Sequence, residues 1–126
     1  APQLAPSAAE IEERRAAAAR SQERRYPGDY VWIFVEGRRA PSGELVEYGY
    51  DFTQCPTYNL YVNRSAAAFL PFYCYLDFVT YRTAGWGFSR TTTLGEGGAV
   101  CDFRFRQGKK THRGWPPPFA GVRFVR

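Results

Sequence analysis

Residue types that supply reactive or metal-binding side chains are scarce in this 126-residue chain. There is no Met, there are three Cys, and His112 is the only His. The absence of Met indicates a processed chain or a fragment. A single His leaves little material for Cys–His catalysis or for a histidine-ligated zinc site. Because His112 stands in a polar Lys-Lys-Thr-His-Arg stretch, an exposed loop histidine is the simpler interpretation, and a dyad with Cys101 is the alternative.

Long apolar segments and an export signal are also missing. No apolar run approaches the roughly 18 residues needed to cross a bilayer, and no signal-peptide pattern opens the chain. We therefore predict a cytoplasmic protein without a membrane partner. An odd number of cysteines in such a chain predicts reduced thiols and not a disulfide framework.

The net charge of +5 is concentrated at the C-terminal end. Residues 103–126 carry seven Lys or Arg and no acid, whereas residues 1–102 carry ten basic and twelve acidic residues. Such a cationic strip is suited to an acidic ligand, but a solvated surface is the simpler interpretation. No nucleic-acid-binding motif accompanies the charge, so nucleic acid is not an expected partner. A homo-oligomer is left open.

Aromatic residues are abundant, at 17% of the chain, and they favour β-strands and a pocket walled by rings. The length and the 44% hydrophobic content are ample for one folded core. We divide the chain into an N-terminal helical segment (1–29), an α+β core (30–106) and a basic, Pro-rich tail (107–126). The core is predicted to be an antiparallel sheet of hairpins, packed against one or two helices, with a small-molecule pocket.

Local patterns predict where the helices and strands lie. Ser7-Ala-Ala-Glu10 is a capping box, so a helix should run from there to about Arg25, supported by an ion pair between Glu10 and Arg14. The other predicted elements are strands at 30–36, 44–53, 88–94 and 100–106, a helix over 66–81 capped by Ser65, a polyproline-like spacer at 114–119 and an edge strand at 122–126. Residues 58–62 are compatible with strand or helix.

Each cysteine has an aspartate close to it in the sequence. The pairs are Asp51 with Cys55, Cys74 with Asp77, and Cys101 with Asp102. Three such pairs in a chain with four Asp residues suggest a shared site. On a helix over 66–81, Cys74 and Asp77 would share one face. In a strand, Cys101 and Asp102 would face opposite ways, so one of them reaches a common ligand more easily.

Two plainer interpretations of the cysteines compete with catalysis. Zinc sites usually contain close Cys or His pairs, and no such pair occurs here, so no cofactor is predicted and zinc held by three thiolates is the alternative. Buried free cysteines also behave as small hydrophobic residues. Cys101 fits that description, because Phe103 and Phe105 lie on its side of the predicted strand.

Several segments occur in an order that is typical of a known family. They are Tyr50-Asp51 with Cys55, Leu70-Pro71 with Cys74 and Asp77, and then Arg90-Thr91, Thr93-Leu94, Gly97-Gly98 and Cys101-Asp-Phe-Arg-Phe105. Over about residues 30–106 the chain resembles the L-2-amino-thiazoline-4-carboxylic acid hydrolase family. The last of these segments, Cys101-Asp-Phe-Arg-Phe105, is also similar to a strand of the small-molecule-binding domains named after vinyl reductase. That similarity implies an antiparallel sheet packed by helices around an apolar pocket.

The resemblance implies a hydrolase for non-peptide C–N bonds of a cyclic amidine. The family's named reaction opens the 2-aminothiazoline ring to N-carbamoyl-cysteine, and a related natural-product intermediate would be a similar substrate. We expect a small-molecule partner that carries a carboxylate. The catalytic assignments are Cys101, Cys74, Asp77 and Asp102. The substrate-binding assignments are Arg90, Thr91, Thr93, Arg104, Cys55 and Asp51. A non-catalytic small-molecule-binding module is the alternative function.

The expected mechanism divides these residues into three roles. Asp77 or Asp102 protonates the ring nitrogen, and Arg90 or Arg104 pairs with the substrate carboxylate. A cysteine thiolate, or water that an acid activates, attacks the amidine carbon. The preferred order for the cysteine is Cys101, then Cys74, then Cys55.

Overall fold

The computed structural model describes residues 6–111, and their fold is α+β, as predicted. The helices are α1 (Ala8–Gln22), α2 (Pro56–Asn63) and α3 (Leu70–Thr83). The strands are β1 (Val31–Glu36), β2 (Glu47–Gln54), β3 (Gly87–Ser89) and β4 (Cys101–Arg106). Short 3-10 turns cover Ala67–Phe69 and Leu94–Glu96. Within this described part, no helix is long and apolar enough to cross a membrane.

The four strands form one antiparallel sheet in the order β1-β2-β4-β3. The hairpin of β1 and β2 confirms the prediction, and so does the antiparallel pairing of β3 with β4. In the register between β2 and β4, Phe52 lies opposite Cys101 and Tyr50 lies opposite Phe103. Since side chains alternate along a strand, these four side chains share one face of the sheet.

Aromatic residues fill that face and form the core with the helices. The buried cluster consists of Ile11, Leu45, Tyr48, Phe78, Phe88 and Phe105. Phe78 of α3 meets Phe88 of β3 edge to face with ring centroids 5.0 Å apart, a favourable arrangement for two aromatic rings. Each fully buried ring contributes about 1.5–3 kcal/mol to folding. The helices are therefore held against the aromatic face.

Helix α1 begins with the predicted capping box: the Ser7 hydroxyl accepts from the Glu10 amide, and the Glu10 carboxylate accepts from the Ser7 amide. The helix ends at Gln22, before the predicted end at Arg25, and Arg24 adopts a positive φ of 51° that no α-helix continues through. Near this end, the Ser21 hydroxyl accepts from the amide of Trp32 in β1. Helix α1 thus also covers backbone at the free edge of the sheet.

The segment between β2 and β3 differs from the prediction. The ambiguous residues 58–62 are helical and belong to α2. The predicted helix over 66–81 begins at Leu70 instead, with Pro71 in its first turn, where the missing amide hydrogen costs nothing. Ser65 does not cap it, because this residue has a positive φ of 54° just after α2. Residues 112–126, with His112, the spacer and the edge strand, lie outside the described residues.

Candidate functional site

A cavity of about 490 Å³ lies between the aromatic face of the sheet and helices α1 and α3. Its lining residues are Arg14, Tyr30, Trp32, Tyr50, Phe52, Cys55, Tyr73, Cys74, Asp77, Arg90, Cys101 and Phe103. Half of these twelve residues are aromatic, and the others supply two cations, one carboxylate and three thiols. The volume lies within the range of roughly 300–1,000 Å³ that is typical of small-molecule sites.

A loop, a helix and a strand bring the three cysteines to this cavity. Cys55 stands between β2 and α2, Cys74 lies on α3, and Cys101 begins β4. Each is half-buried and free of a disulfide. The predicted convergence of Cys74, Asp77 and Cys101 at one pocket is thus what the structure shows. Within residues 6–111, no group of three or more His, Cys, Asp or Glu residues is arranged to hold a metal ion.

Arg90 forms a buried ion pair with Asp77. The loop after β3 carries Arg90, which is only 2% exposed. Its Nη1 donates to Asp77 Oδ2 at 2.7 Å, and its Nη2 donates to the Cys74 carbonyl oxygen at 2.8 Å. The guanidinium also lies over the rings of Phe78 and Phe103, with its Cζ at 5.3 and 5.2 Å from the ring centroids. Arg90 therefore fixes the position of Asp77, and both of its terminal nitrogens donate within the protein.

Burial raises the pKa of Asp77 above its ordinary value, although the charge and the hydrogen bond of Arg90 offset part of that effect. A raised pKa brings the carboxyl nearer to the range in which it exchanges protons at neutral pH. About a third of the Asp77 side chain is exposed, so a ligand in the cavity can reach it. Asp77 is therefore a carboxyl with a raised pKa that a ligand in the cavity can reach.

Burial raises the pKa of two of the three thiols. Burial raises the pKa of Cys74 to about 12, with the positive charge of Arg90 offsetting only part of the effect. Burial also raises the pKa of Cys101, although its sulfur accepts a hydrogen bond from the Leu94 amide at 3.2 Å. Because the thiolate is the reactive form, burial makes both thiols less reactive at neutral pH than an ordinary cysteine.

Asp102 lies on the opposite face of β4 from Cys101 and outside the cavity. Its carboxylate accepts from the backbone amides of Thr91 and Thr92, both at 2.8 Å, and from the Thr91 hydroxyl. Thr93 is buried, and its hydroxyl accepts from the Glu96 amide at 3.2 Å. These contacts shape the loop that leads from Arg90 to β4.

Gly98, in the Gly97-Gly98 pair, allows the same loop to pack closely. A Cβ on Gly98 would lie 2.0 Å from Thr92 Oγ1 and 2.9 Å from the Thr93 carbonyl oxygen, so only glycine fits. The loop after Arg90 can therefore fold tightly against itself. This packing explains physically why the Thr run and the Gly pair occur together in the sequence.

Arg104 and Asp51 also lie outside the cavity. The two residues form an ion pair on the outer face of the sheet, with Arg104 Nη1 at 2.8 Å from Asp51 Oδ1. Of the ten residues assigned to the site from the sequence, the cavity brings five together and not the others. Those that line it are Cys55, Cys74, Asp77, Arg90 and Cys101, and those that do not are Asp51, Thr91, Thr93, Asp102 and Arg104.

The family model described as L-2-amino-thiazoline-4-carboxylic acid hydrolase matches residues 9–105. The chain belongs to this family. The match reaches further towards the N-terminus than the 30–106 expected from the motifs, so it includes helix α1 and with it Arg14. Comparisons with curated proteins and with solved structures found no match.

Five of the twelve residues that line the cavity in this hydrolase-family chain lie outside the family motifs. They are Arg14, Tyr30, Trp32, Phe52 and Tyr73. The alternation of side chains along the strands predicts part of this aromatic wall, since Tyr50 and Phe52 pair across the sheet with Phe103 and Cys101. Arg14 was assigned to an ion pair with Glu10, but the Glu10 carboxylate instead accepts from Ser7, and no such pair forms among the described residues.

We expect Cys74 to react about a thousandfold more slowly with iodoacetamide at pH 8 than an ordinary thiol, because its pKa is about 12 against an ordinary 9.0. Alkylation followed by peptide mass mapping measures this rate for each cysteine separately. The same protein unfolded in urea is the control, and there Cys74 should react at the ordinary rate. Equal rates in the folded and unfolded protein would contradict the prediction.

Proposed function

We propose that this protein is a hydrolase that opens a small cyclic amidine, of the 2-aminothiazoline-4-carboxylate kind or a related natural-product intermediate, in the cavity between the sheet and the helices. The observation that carries the proposal is the Asp77–Arg90 pair in the wall of an aromatic cavity. Membership of the family supports the reaction class. In this role Asp77 is the catalytic acid and base, and Arg90 is its positioning residue.

The first step is protonation of the ring nitrogen by the neutral form of Asp77. This proton makes the amidine carbon more electrophilic, and the raised pKa of Asp77 increases the fraction of the carboxyl that can donate it. The Asp77 carboxylate that results is stabilised by Arg90 Nη1 at 2.7 Å. The aromatic walls shield the reacting carbon from bulk water, which strengthens these electrostatic interactions.

Addition of water completes the reaction. The water oxygen forms a bond to the amidine carbon while the Asp77 carboxylate takes one of the water protons. The adduct then collapses: its hydroxyl oxygen forms the carbonyl as the bond from that carbon to the ring sulfur breaks. The departing sulfur takes the proton from Asp77, and the hydroxyl proton passes to Asp77, so the neutral carboxyl is regenerated. This ring opening breaks a C–S bond, and not the C–N bond that the resemblance implies. For a 2-aminothiazoline carboxylate the product is N-carbamoyl-cysteine; loss of the amino group as ammonia is the other way for the same adduct to collapse.

Water is the preferred nucleophile over the Cys74 and Cys101 thiols. Burial raises the pKa of both groups, so little thiolate is present at neutral pH. Both side chains then act as small apolar parts of the wall. Cys74→Ser and Cys101→Ser should accordingly keep most of the wild-type rate, whereas removal of a covalent nucleophile would abolish nearly all of it.

The direct test is release of a free thiol from 2-aminothiazoline-4-carboxylate, followed with a colorimetric thiol reagent, with the product identified by mass spectrometry. The wild-type protein should release thiol in proportion to enzyme, and an Asp77→Asn preparation made in the same way controls for contaminating activity. Equal thiol release by both preparations, or none by the wild type with this compound and a panel of substituted 2-aminothiazolines, would reject the proposal.

The protonated state of Cys74 and Cys101 also favours a second candidate function, that of a non-catalytic small-molecule-binding module with the same cavity. Such a module would bind the 2-aminothiazoline panel and leave every ring intact. Calorimetric binding without thiol release would assign the protein to that class.

A further inference from the structure

Arg14 is placed differently from the other arginines of helix α1. Arg14 lines the cavity, and its Cζ lies 5.8 Å from the ring centroid of Tyr48. Arg15 and Arg20, on the same helix, both form ion pairs with glutamates. In the described part of the chain, Arg14 has no carboxylate within 4.0 Å.

One donor of Arg14 is buried and unsatisfied. Its Nη1 is shielded from solvent and makes no hydrogen bond within residues 6–111. Leaving a buried charged donor without an acceptor is costly, and such groups are uncommon in folded proteins. A donor of this kind in a cavity wall is complementary to an anion that the ligand brings with it, because a guanidinium binds a carboxylate through two parallel hydrogen bonds.

The two arginines that the resemblance assigns to the substrate carboxylate, Arg90 and Arg104, already hold an aspartate each. Arg90 donates to Asp77 and to the Cys74 carbonyl oxygen, and Arg104 pairs with Asp51 on the outer face of the sheet. The surroundings of Arg14 also suit an anion, since the phenol groups near it keep their protons. Burial raises the pKa of Tyr50, although the charge of Arg14 lowers it in part, so its hydroxyl can donate to an anion.

We propose that Arg14 binds the carboxylate of the substrate and determines the specificity of the cavity for anionic ligands. The amidine of the same ligand would then lie towards Asp77, with the ring between the aromatic walls. A negative group at Arg14 and a basic amidine at Asp77 match the two charges of a 2-aminothiazoline-4-carboxylate. The inference rests on the proposed function for this choice of ligand, but its test measures binding and does not need turnover.

The test compares 2-aminothiazoline-4-carboxylate with its neutral carboxamide by isothermal titration calorimetry. The wild type should bind the carboxylate about 10- to 100-fold more tightly, as expected for hydrogen bonds to a charged group. Arg14→Met should remove that preference while leaving the carboxamide affinity nearly unchanged. Arg20→Met is the matched control: it removes the same charge from the same helix outside this cavity, and it should keep the preference.

Thermal unfolding separates binding from a structural role. Arg14→Met keeps an apolar chain against Tyr48 and removes the unsatisfied donor, so it should unfold at or above the wild-type temperature. A lower unfolding temperature together with a retained carboxylate preference would assign Arg14 to structure alone. Arg14→Lys, which keeps the charge and loses the planar fork, should retain only part of the preference and provides a second variant if Arg14→Met does not fold.

The outcomes divide clearly. Equal binding of the two probes by the wild type, or no binding of either, overturns the inference, and so does a carboxylate preference that survives in Arg14→Met. Arg14-dependent binding of the carboxylate without any thiol release supports the inference and rejects the hydrolase proposal. The two proposals can therefore fail independently.

Discussion

Replacing Arg90 with alanine is expected to lower the free energy of unfolding by roughly 3 kcal/mol or more. The side chain is only 2% exposed and lies against the rings of Phe78, Phe88 and Phe103. Its removal leaves a cavity among these rings and deprives the Cys74 carbonyl oxygen of a donor. Most of the loss comes from this packing, because the Asp77 carboxylate is partly exposed and can be solvated. Urea unfolding, followed by Trp fluorescence, measures the change.

Arg104→Ala is the matched control for this experiment. Arg104 also pairs with an aspartate at 2.8 Å, but a third of its side chain is exposed on the outer face of the sheet. Ion pairs of that kind contribute about 0–1 kcal/mol, so the variant should be nearly as stable as the wild type. Similar losses in the two variants would contradict the idea that Arg90 is a central part of the core.

The fold could be predicted well because its signals are local. Alternation along residues 101–106 assigned Cys101, Phe103 and Phe105 to one face, and the structure confirms this with Phe105 buried and Arg106 exposed. The capping box at Ser7 is equally local, since both of its hydrogen bonds join residues three apart. Predictions of this kind need only the periodicity of a strand or the geometry of one helical turn.

The strand expected over 88–94 is an element that local sequence signals do not predict correctly. Its Thr-rich sequence has high β-propensity, yet β3 ends at Ser89. From there Arg90 enters the core, and the following loop is held by Asp102, which accepts from the Thr91 and Thr92 amides. Tertiary hydrogen bonds thus override the propensity, and they depend on a pairing register that the sequence does not display.

The candidate site could be predicted only in part for a similar reason. Cys74 and Asp77 share a helix face, so their proximity follows from helical spacing. The contribution of Arg14 depends on how α1 crosses the sheet, and from the sequence this residue is equally suited to an ion pair with Glu10. Tyr30 and Trp32 reach the cavity because β1 lies beside β2, which the hairpin predicts, but their role as walls depends on the position of α3.

Asp77→Asn is expected to lower kcat/KM for the ring-opening reaction by about 10²–10⁴-fold, because an amide cannot supply or take up the proton. The fold should suffer less than in Arg90→Ala, since the amide oxygen of Asn still accepts a hydrogen bond from Arg90 Nη1. Steady-state thiol release measures the rate, and urea unfolding of the same preparation measures stability. A rate that falls only in proportion to the unfolded fraction would remove Asp77 from catalysis.

Asp102→Asn provides the matched control, because it makes the same chemical change on the other face of the sheet. Asp102 accepts hydrogen bonds from the Thr91 and Thr92 amides and does not line the cavity, so its variant should keep most of the rate.

The pH dependence of the rate distinguishes the two aspartates further. Burial raises the pKa of Asp77, so the proton-donating form persists to higher pH than for an ordinary Asp and is lost as pH rises through that value. The wild-type rate should therefore decrease as pH rises through the pKa of Asp77, and the residual rate of Asp77→Asn should show no such decrease. If the decrease persists in Asp77→Asn and disappears in Asp102→Asn, the acid is Asp102 and not Asp77.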